Sequence, residues 1–444
     1  MIAVAQLNFL NRGVAAVPKI SKIIAVAVLS MLLSVTVLAT DAVNEDNIIT
    51  ADGTAAAIVY NIENETVVFD RNSNEALVPG SITKMMTAVC AYELLSDKLD
   101  STITVESGML NRISPNFYGY KTGDTVKIRD LLGGLLTRGY NDCAALLCYA
   151  ACGSIDDFVS YMNARAAELG MKNTVYANPT GLDAAGAVTT AADTLLLACE
   201  FYKIPLLIEL SNTLTYKGDN VTFSNRNDFL NSGKYFDSRI VGMNVGWTAN
   251  SGYCAASAVE GDKLTYIIVV LGGEEINERV TAYDLTRTLA DYALDGFDYI
   301  DVIKAGGVIC EIPVELSMDA DYVTLVPAES LTLYLPTAVD VKTDLSYSYR
   351  LDFETLDAPV TEGQKAGSYT VSQDGVILGS VDLVTKNSVP RSEFLVVLDA
   401  IENFTTSTFF IVTVIAAVLL TVIYFIVSAL MRSRRRSRHY SRRR

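Results

Sequence analysis

The sequence predicts a mixed α/β domain followed by a small all-β domain and one membrane-spanning helix. Three observations carry this reading. Ala55 to Asp70, AAAIVYNIENETVVFD, has two β-rich runs around a polar turn and leads into an apolar helix. Beyond Asp298 the chain breaks into short alternating runs, CEIPVELS, YVTLVPA, LTLYLP and GVILGSVDLV. Phe409 to Met431 is an uncharged stretch rich in Ile, Val, Leu and Phe, long enough to cross a bilayer.

In chain order, Arg12, Lys19 and Lys22 precede an apolar run from Ile23 to Leu38, and small residues near Ala39 and Ala42 offer a processing site. The expectation is a signal peptide over residues 1–42; the rival is a retained N-terminal anchor. After the hairpin, Pro79 and Gly80 break the chain, and Ile82, Met85, Met86, Val89 and Cys90 recur at helical spacing. Residues 126–150 read as an apolar helix, a polar break from Arg138 to Asp142 and a second apolar helix, with Asn141 and Asp142 as its caps. A long helix from Ile155 to Leu169 precedes the turn-rich Asn178-Pro179-Thr180-Gly181-Leu182-Asp183. Between Ile240 and Leu271 a Gly-rich turn region separates β-like runs, with IIVVLGG at 267–273 as a central strand, and helical spacing returns from Val280 to Tyr292. The boundaries expected are 43–297 for the first domain, 298–390 for the all-β domain, 391–408 for a juxtamembrane linker, 409–431 for the span and 432–444 for a basic tail.

Charge is distributed unevenly. The whole chain carries a formal net charge of -16, but eight arginines collect behind the span, from Arg432 to Arg444. Positive charge gathers on the cytoplasmic side, which puts the tail inside and residues 43–406 outside. Such a run also suits nucleic acid, but its attachment to a span favours the topogenic reading. The acidic remainder is a poor partner for nucleic acid or anionic lipid. The seven cysteines, without a C-x-x-C pair, read as small core residues. The single histidine, His439, lies in the tail, so a Ser-His-Asp triad or a His-ligated zinc site is excluded from the outer portion.

Ser81 and Lys84 then become the chemical focus. They lie three residues apart at a helix start and share a flank distinct from the apolar one. A lysine amine in an apolar setting loses affinity for its proton and can activate a serine hydroxyl, while free backbone N–H groups at a helix start can steady an oxyanion. Ser-x-x-Lys alone is too short to be specific, since about one chance copy is expected in a chain of this length.

Its neighbours add the specificity. PGSITKMMTA, GDTVKIRDLLGGLLTRGYNDCAA, AAELGMKNTVYANPTGLD, TTAADTLLLA and GWTANSGYCAASA follow in an order that resembles the low-molecular-mass penicillin-binding proteins, the D-alanyl-D-alanine carboxypeptidases of serine peptidase family S11. The resemblance covers roughly residues 50–390. It implies a penicillin-recognising, β-lactamase-like α/β domain with an antiparallel sheet flanked by helices, then a β-sandwich and a C-terminal anchor in the cell membrane. It further implies that Ser81 attacks the penultimate D-alanine carbonyl of a peptidoglycan stem peptide, that Lys84 takes the proton and that Asn141 positions the substrate amide. The N–H groups of Ser81 and Trp247 would hold the oxyanion, with Gly139, Asn244, Gly246 and Thr248 completing the binding set. β-Lactams would acylate Ser81; no cofactor or metal is implied.

Two matches depart from the family. Gly139-Tyr140-Asn141 stands where Ser-x-Asn is expected, and Asn244-Val245-Gly246 where Lys-Thr-Gly is expected. A hydroxyl that relays a proton and a cation that grips the substrate carboxylate are thereby lost, which implies weaker catalysis. Arg138 or Arg239 is a candidate replacement for that carboxylate contact. A literal Lys121-Thr122-Gly123 precedes the asparagine motif and reads as coincidence. The main expectation is a serine carboxypeptidase of reduced activity. The alternatives are a catalytically impaired, membrane-tethered pseudoenzyme that binds peptidoglycan or penicillin, and a β-lactamase-like hydrolase.

Overall fold

In a computed structural model of the chain, residues 53–111 and 115–440 are described, 433–440 by backbone alone; the apolar run read as an export signal and residues 441–444 lie outside the described residues. The chain divides near Asp298 into two units, the first also taking in Pro336–Ala338.

The first unit is built on the predicted hairpin. β1 (Ala56–Asn61) pairs antiparallel with β2 (Thr66–Arg71), and the Asn64 N–H donates to Asn61 Oδ1 (2.8 Å) to close the turn. Two small hairpins follow, β3 (Thr102–Thr104) with β4 (Thr125–Lys127) and β5 (Thr215–Lys217) with β6 (Thr222–Ser224). β7 (Ile240–Thr248), β8 (Gly252–Glu260) and β9 (Thr265–Gly273) complete a five-stranded antiparallel sheet in the order β2-β1-β9-β8-β7. The expected central strand is therefore central: Tyr266 to Leu271 of β9 are wholly buried, which is why that stretch reads as a continuous apolar run rather than an alternation. β7 lies at the edge. The short β10 (Glu275–Ile276) and β11 (Arg279–Val280) pair with each other beyond β9.

Helices α1 (Thr83–Leu95), α2 (Ile128–Arg138), α3 (Asn141–Cys152), α4 (Ile155–Glu168), α5 (Ala191–Tyr202) and α6 (Pro205–Asn212) share one apolar core with the sheet. Met85, Met86 and Val89 of α1 meet Leu131, Leu147, Phe158, Phe201 and, from β9, Ile267 and Val269 in this core. Alternation sends Ile268 and Val270 to the other face, and α7 (Thr281–Gly296) packs on β8 and β9. All seven cysteines are free. Asn141 and Asp142 do not cap α3 as expected. Tyr140 precedes the helix without a side-chain cap, and the Asp142 carboxylate, besides accepting the Cys143 N–H in the first helical turn (3.0 Å), accepts the N–H groups of Tyr118 (3.1 Å) and Gly119 (2.8 Å) from a neighbouring loop. That carboxylate still sits favourably in the first helical turn.

The Asn178–Asp183 turn fastens the start of α1. Asn178 Oδ1 accepts the N–H groups of Thr180 (3.1 Å) and Gly181 (2.7 Å), and Thr87 Oγ1 donates to the Pro179 carbonyl (2.6 Å). Gly181 has φ +70°, and a Cβ there would come within 1.8 Å of the Gly80 carbonyl oxygen.

The second unit is all-β before its helices. β12 (Phe297–Ile303) pairs with β15 (Leu331–Pro336), while β13 (Cys310–Glu315), β14 (Tyr322–Pro327), β16 (Ser346–Leu351), β17 (Leu356–Asp357), β18 (Lys365–Gln373) and β19 (Val376–Thr385) form a six-stranded sheet ordered β16-β18-β19-β14-β13-β17. One apolar cluster gathers Ile312, Leu325 and Ala366, and another Val302, Leu335 and Val371. The stretch expected as a linker carries α8 (Glu393–Thr406), and Ser407 separates it from α9 (Thr408–Tyr440), of which Thr408–Arg432 is long and apolar enough to cross a membrane.

Gly181→Ala is expected to destabilise the protein by at least about 2 kcal/mol, because it combines left-handed strain with a main-chain clash. Denaturant unfolding measures the change, and an unaltered midpoint would contradict the described packing.

Candidate active site

Ser81 sits in a 3-10 turn, Gly80–Ile82, that runs directly into α1. Gly80 is left-handed (φ +52°), and a Cβ there would lie 2.3 Å from Ser251 Oγ, so the turn presses on the β7–β8 connection. Ser81 is 8% exposed and Lys84, on the first turn of α1, only 3%.

Lys84 Nζ donates to the Thr180 carbonyl of the Asn178–Asp183 turn. Burial chiefly, and the positive Arg226 next, bring its pKa from 10.5 down to about 7. In its neutral form one N–H is held by Thr180 and the lone pair remains available. Ser81 Oγ makes no hydrogen bond among the described residues, so proton transfer requires the two side chains to close on one another.

The edge strand supplies the opposite wall. A Cβ on Gly246 would come 2.2 Å from Ser81 Cβ and 2.9 Å from its Oγ, so β7 can approach the serine only with glycine at this position. Two residues earlier, Asn244 Nδ2 donates to the Ser81 carbonyl (2.9 Å), a buried tie between strand and turn. Thr248 spends its hydroxyl elsewhere, donating to Asp183 Oδ1 (2.6 Å) and lying 2.9 Å from Ser251 Oγ. Asp183 also accepts the Asn250 N–H (3.3 Å), clasping the Asn178–Asp183 turn to the β7–β8 turn.

The third wall is the α2–α3 connection. Gly139 has φ +67°, and a Cβ there would fall 2.6 Å from Arg226 Nη2. Arg226 Nη2 donates to the Val245 carbonyl (3.2 Å), and its N–H to the Thr137 carbonyl (3.0 Å). A forked guanidinium thus lies between Gly139 and Val245, beside the two stretches where the resemblance leads one to expect a hydroxyl and a lysine, in space that a larger residue at 139 would take. Asn141 is buried; its Nδ2 donates to the Pro115 carbonyl, while Oδ1 is left without a partner among the described residues. A buried unpaired acceptor is costly and calls for a donor.

Of the sequence-predicted residues, Asn244 and Gly246 meet Ser81 directly, Lys84 lies one helical turn from it with its amine on Thr180, and Gly139 is joined to β7 through Arg226. Arg239 does not serve as the replacement cation, because Asp237 (2.7 Å) and Asp291 (2.6 Å) hold its guanidinium. Arg138 lies over the Tyr140 ring, 5.8 Å from its centroid. Arg226 was not foreseen, since its only signal is the polar SNRND cluster between β6 and β7. Lys121-Thr122-Gly123 occupies an exposed turn, closed by the Lys121 N–H on Asp124 Oδ2 (2.8 Å).

A serine–lysine turn packed between helices and the edge of an antiparallel sheet defines a penicillin-recognising serine hydrolase fold. The family model described as D-alanyl-D-alanine carboxypeptidase, peptidase S11, matches residues 41–275, and that of the penicillin-binding protein 5 C-terminal domain matches 297–391. The chain belongs to the D-alanyl-D-alanine carboxypeptidase family. It is 30% identical over 350 residues to a D-alanyl-D-alanine carboxypeptidase of Escherichia coli (strain K12), spanning 76% of this chain and 85% of that one. A D-alanyl-D-alanine carboxypeptidase of Bacillus subtilis (strain 168) is 24% identical over 77% of this chain and 87% of its own. In fold the chain is similar to penicillin-binding protein 5 from Haemophilus influenzae, with TM-score 0.55, 21% identity and coverage of 76% of this chain and 98% of that one.

Two outcomes follow from this geometry. Gly246→Ala is expected to lower the rate of Ser81 acylation by at least about a hundredfold, since the added methyl displaces β7 or the serine; a labelled-penicillin time course measures it. If neutral Lys84 is the base, kcat/KM rises through about pH 7 and levels off above it. Arg226→Gln removes a like charge, raises the lysine's proton affinity and moves that midpoint to higher pH, which a pH–rate profile measures.

Proposed function

We propose that this chain is a serine-type carboxypeptidase that removes the terminal D-alanine from peptidoglycan stem peptides through an acyl-enzyme on Ser81. The observation that carries this reading is the buried Lys84 amine, held by the Thr180 carbonyl one helical turn from Ser81, with Gly246 of the edge strand against the serine.

Neutral Lys84 takes the Ser81 proton as Oγ bonds to the carbonyl carbon of the penultimate D-alanine. The N–H groups of Ser81 and Trp247 receive the negative oxygen. The C–N bond then breaks, and the departing amine of the terminal D-alanine takes the proton back from Lys84. With glycine at 139, no serine hydroxyl relays that proton, so the lysine delivers it. Water next adds to the ester carbon and gives its proton to Lys84; the C–Oγ bond breaks and Oγ recovers the proton. Asn141 Oδ1, buried and without a partner among the described residues, is the acceptor for a substrate amide N–H. Arg226, with one N–H on Val245, retains donors for the terminal carboxylate, the role vacated by lysine at Asn244.

β-Lactams acylate Ser81 on the same reading. Residues 43–406 face outward, held to the bilayer by Thr408–Arg432, and the arginines behind that helix stay inside. A second reading, a tethered binding protein with little turnover, draws on Asn244: its side chain is a tie to the Ser81 carbonyl and brings no charge to the cleft.

Ser81→Ala is expected to abolish both D-alanine release from a stem pentapeptide and covalent labelling by penicillin. Labelling without release in the intact protein would favour the binding reading; release that persists in Ser81→Ala would overturn both. Arg226→Gln is expected to raise KM for the pentapeptide by about tenfold or more, because a carboxylate loses its charged partner; steady-state kinetics measure it.

A further inference from the structure

Trp247 is the chain's only tryptophan and is placed where a core residue would not be. Ile240, Gly242, Met243, Asn244, Val245 and Gly246 of β7 are buried, whereas Trp247 is 55% exposed. Large apolar side chains left open beside a cleft are informative in a way that scattered ones are not. The indole is also anchored. Its ring centroid lies 6.1 Å from that of Tyr253, its register partner on β8, at an interplanar angle of 44°. Tyr253 is itself held by Tyr283 of α7, edge-on at 6.1 Å, and by its hydroxyl donating to Glu275 (2.8 Å). One side of the indole is thus backed by rings while the rest meets solvent.

The neighbouring residue fixes where this surface lies. Gly246 abuts Ser81, so Trp247 is one residue from the nucleophile along the strand. β7 is the sheet's edge, and an extended peptide can add to an edge strand through main-chain hydrogen bonds, with alternate side chains entering pockets beside it. Strand alternation sends Asn244 and Gly246 toward Ser81 and Val245 and Trp247 to the other side of the strand. A peptide aligned on β7 with its carbonyl at Ser81 therefore sends every second side chain to the indole's side of the strand, where one of them meets it.

From this we infer that the Trp247 side chain is a specificity-determining platform that receives an uncharged, apolar side chain or acyl substituent of the peptide or β-lactam bound along β7. The inference rests on the carboxypeptidase reading of the cleft, and it goes beyond the backbone role of Trp247 in holding the oxyanion. An anionic substituent at that place loses hydration without gaining a partner on the electron-rich ring face, so the platform ranks an apolar substituent above an anionic one.

Because Trp247 is the only indole, its emission reports the contact directly. The full chain in detergent carrying Ser81→Ala is titrated with Nα,Nε-diacetyl-L-lysyl-D-alanyl-D-alanine, whose lysine side chain is uncharged; a saturable change in tryptophan emission is expected. In turnover by the otherwise native chain, Trp247→Ala is expected to raise KM about tenfold and to lower kcat by less than that, since the backbone N–H remains, with Trp247→Phe between the two. Unchanged emission at saturation, with KM of Trp247→Ala within about twofold of the parent, overturns the inference whatever the turnover. An emission change in a chain that releases no D-alanine upholds the platform while defeating the hydrolytic reading.

Discussion

The confinement of one ammonium group is the constraint on which the site depends. Lys84, on the first turn of α1, is buried, and its hydrogen bond goes to the Thr180 main-chain carbonyl rather than to a carboxylate. A carboxylate partner would stabilise the charged form and oppose the fall in pKa that burial brings. A carbonyl satisfies one N–H without that penalty. The glycines around it serve the same enclosure: Gly181 brings the turn onto Gly80, and Gly246 brings β7 onto Ser81. Each removes a methyl from a place where a backbone or a nucleophile must come close.

The second constraint is where positive charge stands. In this chain the strand position expected to carry a lysine holds Asn244, whose amide is consumed in tying the strand to the serine's own carbonyl. Arg226 reaches the same strand at Val245, and the glycine at 139 leaves room for its guanidinium. The two departures from the family pattern are thus spatially linked, because both border one side chain. Each reads as a loss when taken alone; together they leave the Arg226 guanidinium beside Val245.

This linkage also explains which parts were legible in the sequence. Ser81 and Lys84 are one turn apart, so helical period alone brings them together, and the continuous apolar run of β9 announces a strand buried on both faces. Thr180 lies 96 residues from Lys84, and no local pattern marks its carbonyl as a partner. Arg226 gave no signal for a similar reason: polar residues between strands usually face water, and only the approach of Gly139 and Val245 gives this one a task. Asn141 and Asp142 misled because a polar pair before an apolar helix is the ordinary sign of a cap. Here a loop 22 to 26 residues upstream uses both side chains, and only Asp142 also accepts an N–H of the helix, that of Cys143. Helical spacing is present in EFLVVLDAIENF, where Phe394, Val397, Leu398 and Ile401 fall on one flank, yet its position beside the span suggested only a linker.

The sheet's strand order has a further consequence for when the site comes into being. β1, near the start of the described chain, pairs with β9, with Ile58 opposite Val269, and the tie from Asn244 to Ser81 spans 163 residues. Such distant pairings are slow to close and cannot close until the later partner exists. A nascent chain that has emerged only as far as its helices has the serine and the lysine but no strand to wall them in. The enclosure of the serine and lysine is therefore incomplete until the last strands arrive, and a product cut short before Ile240 lacks the strand that abuts Ser81.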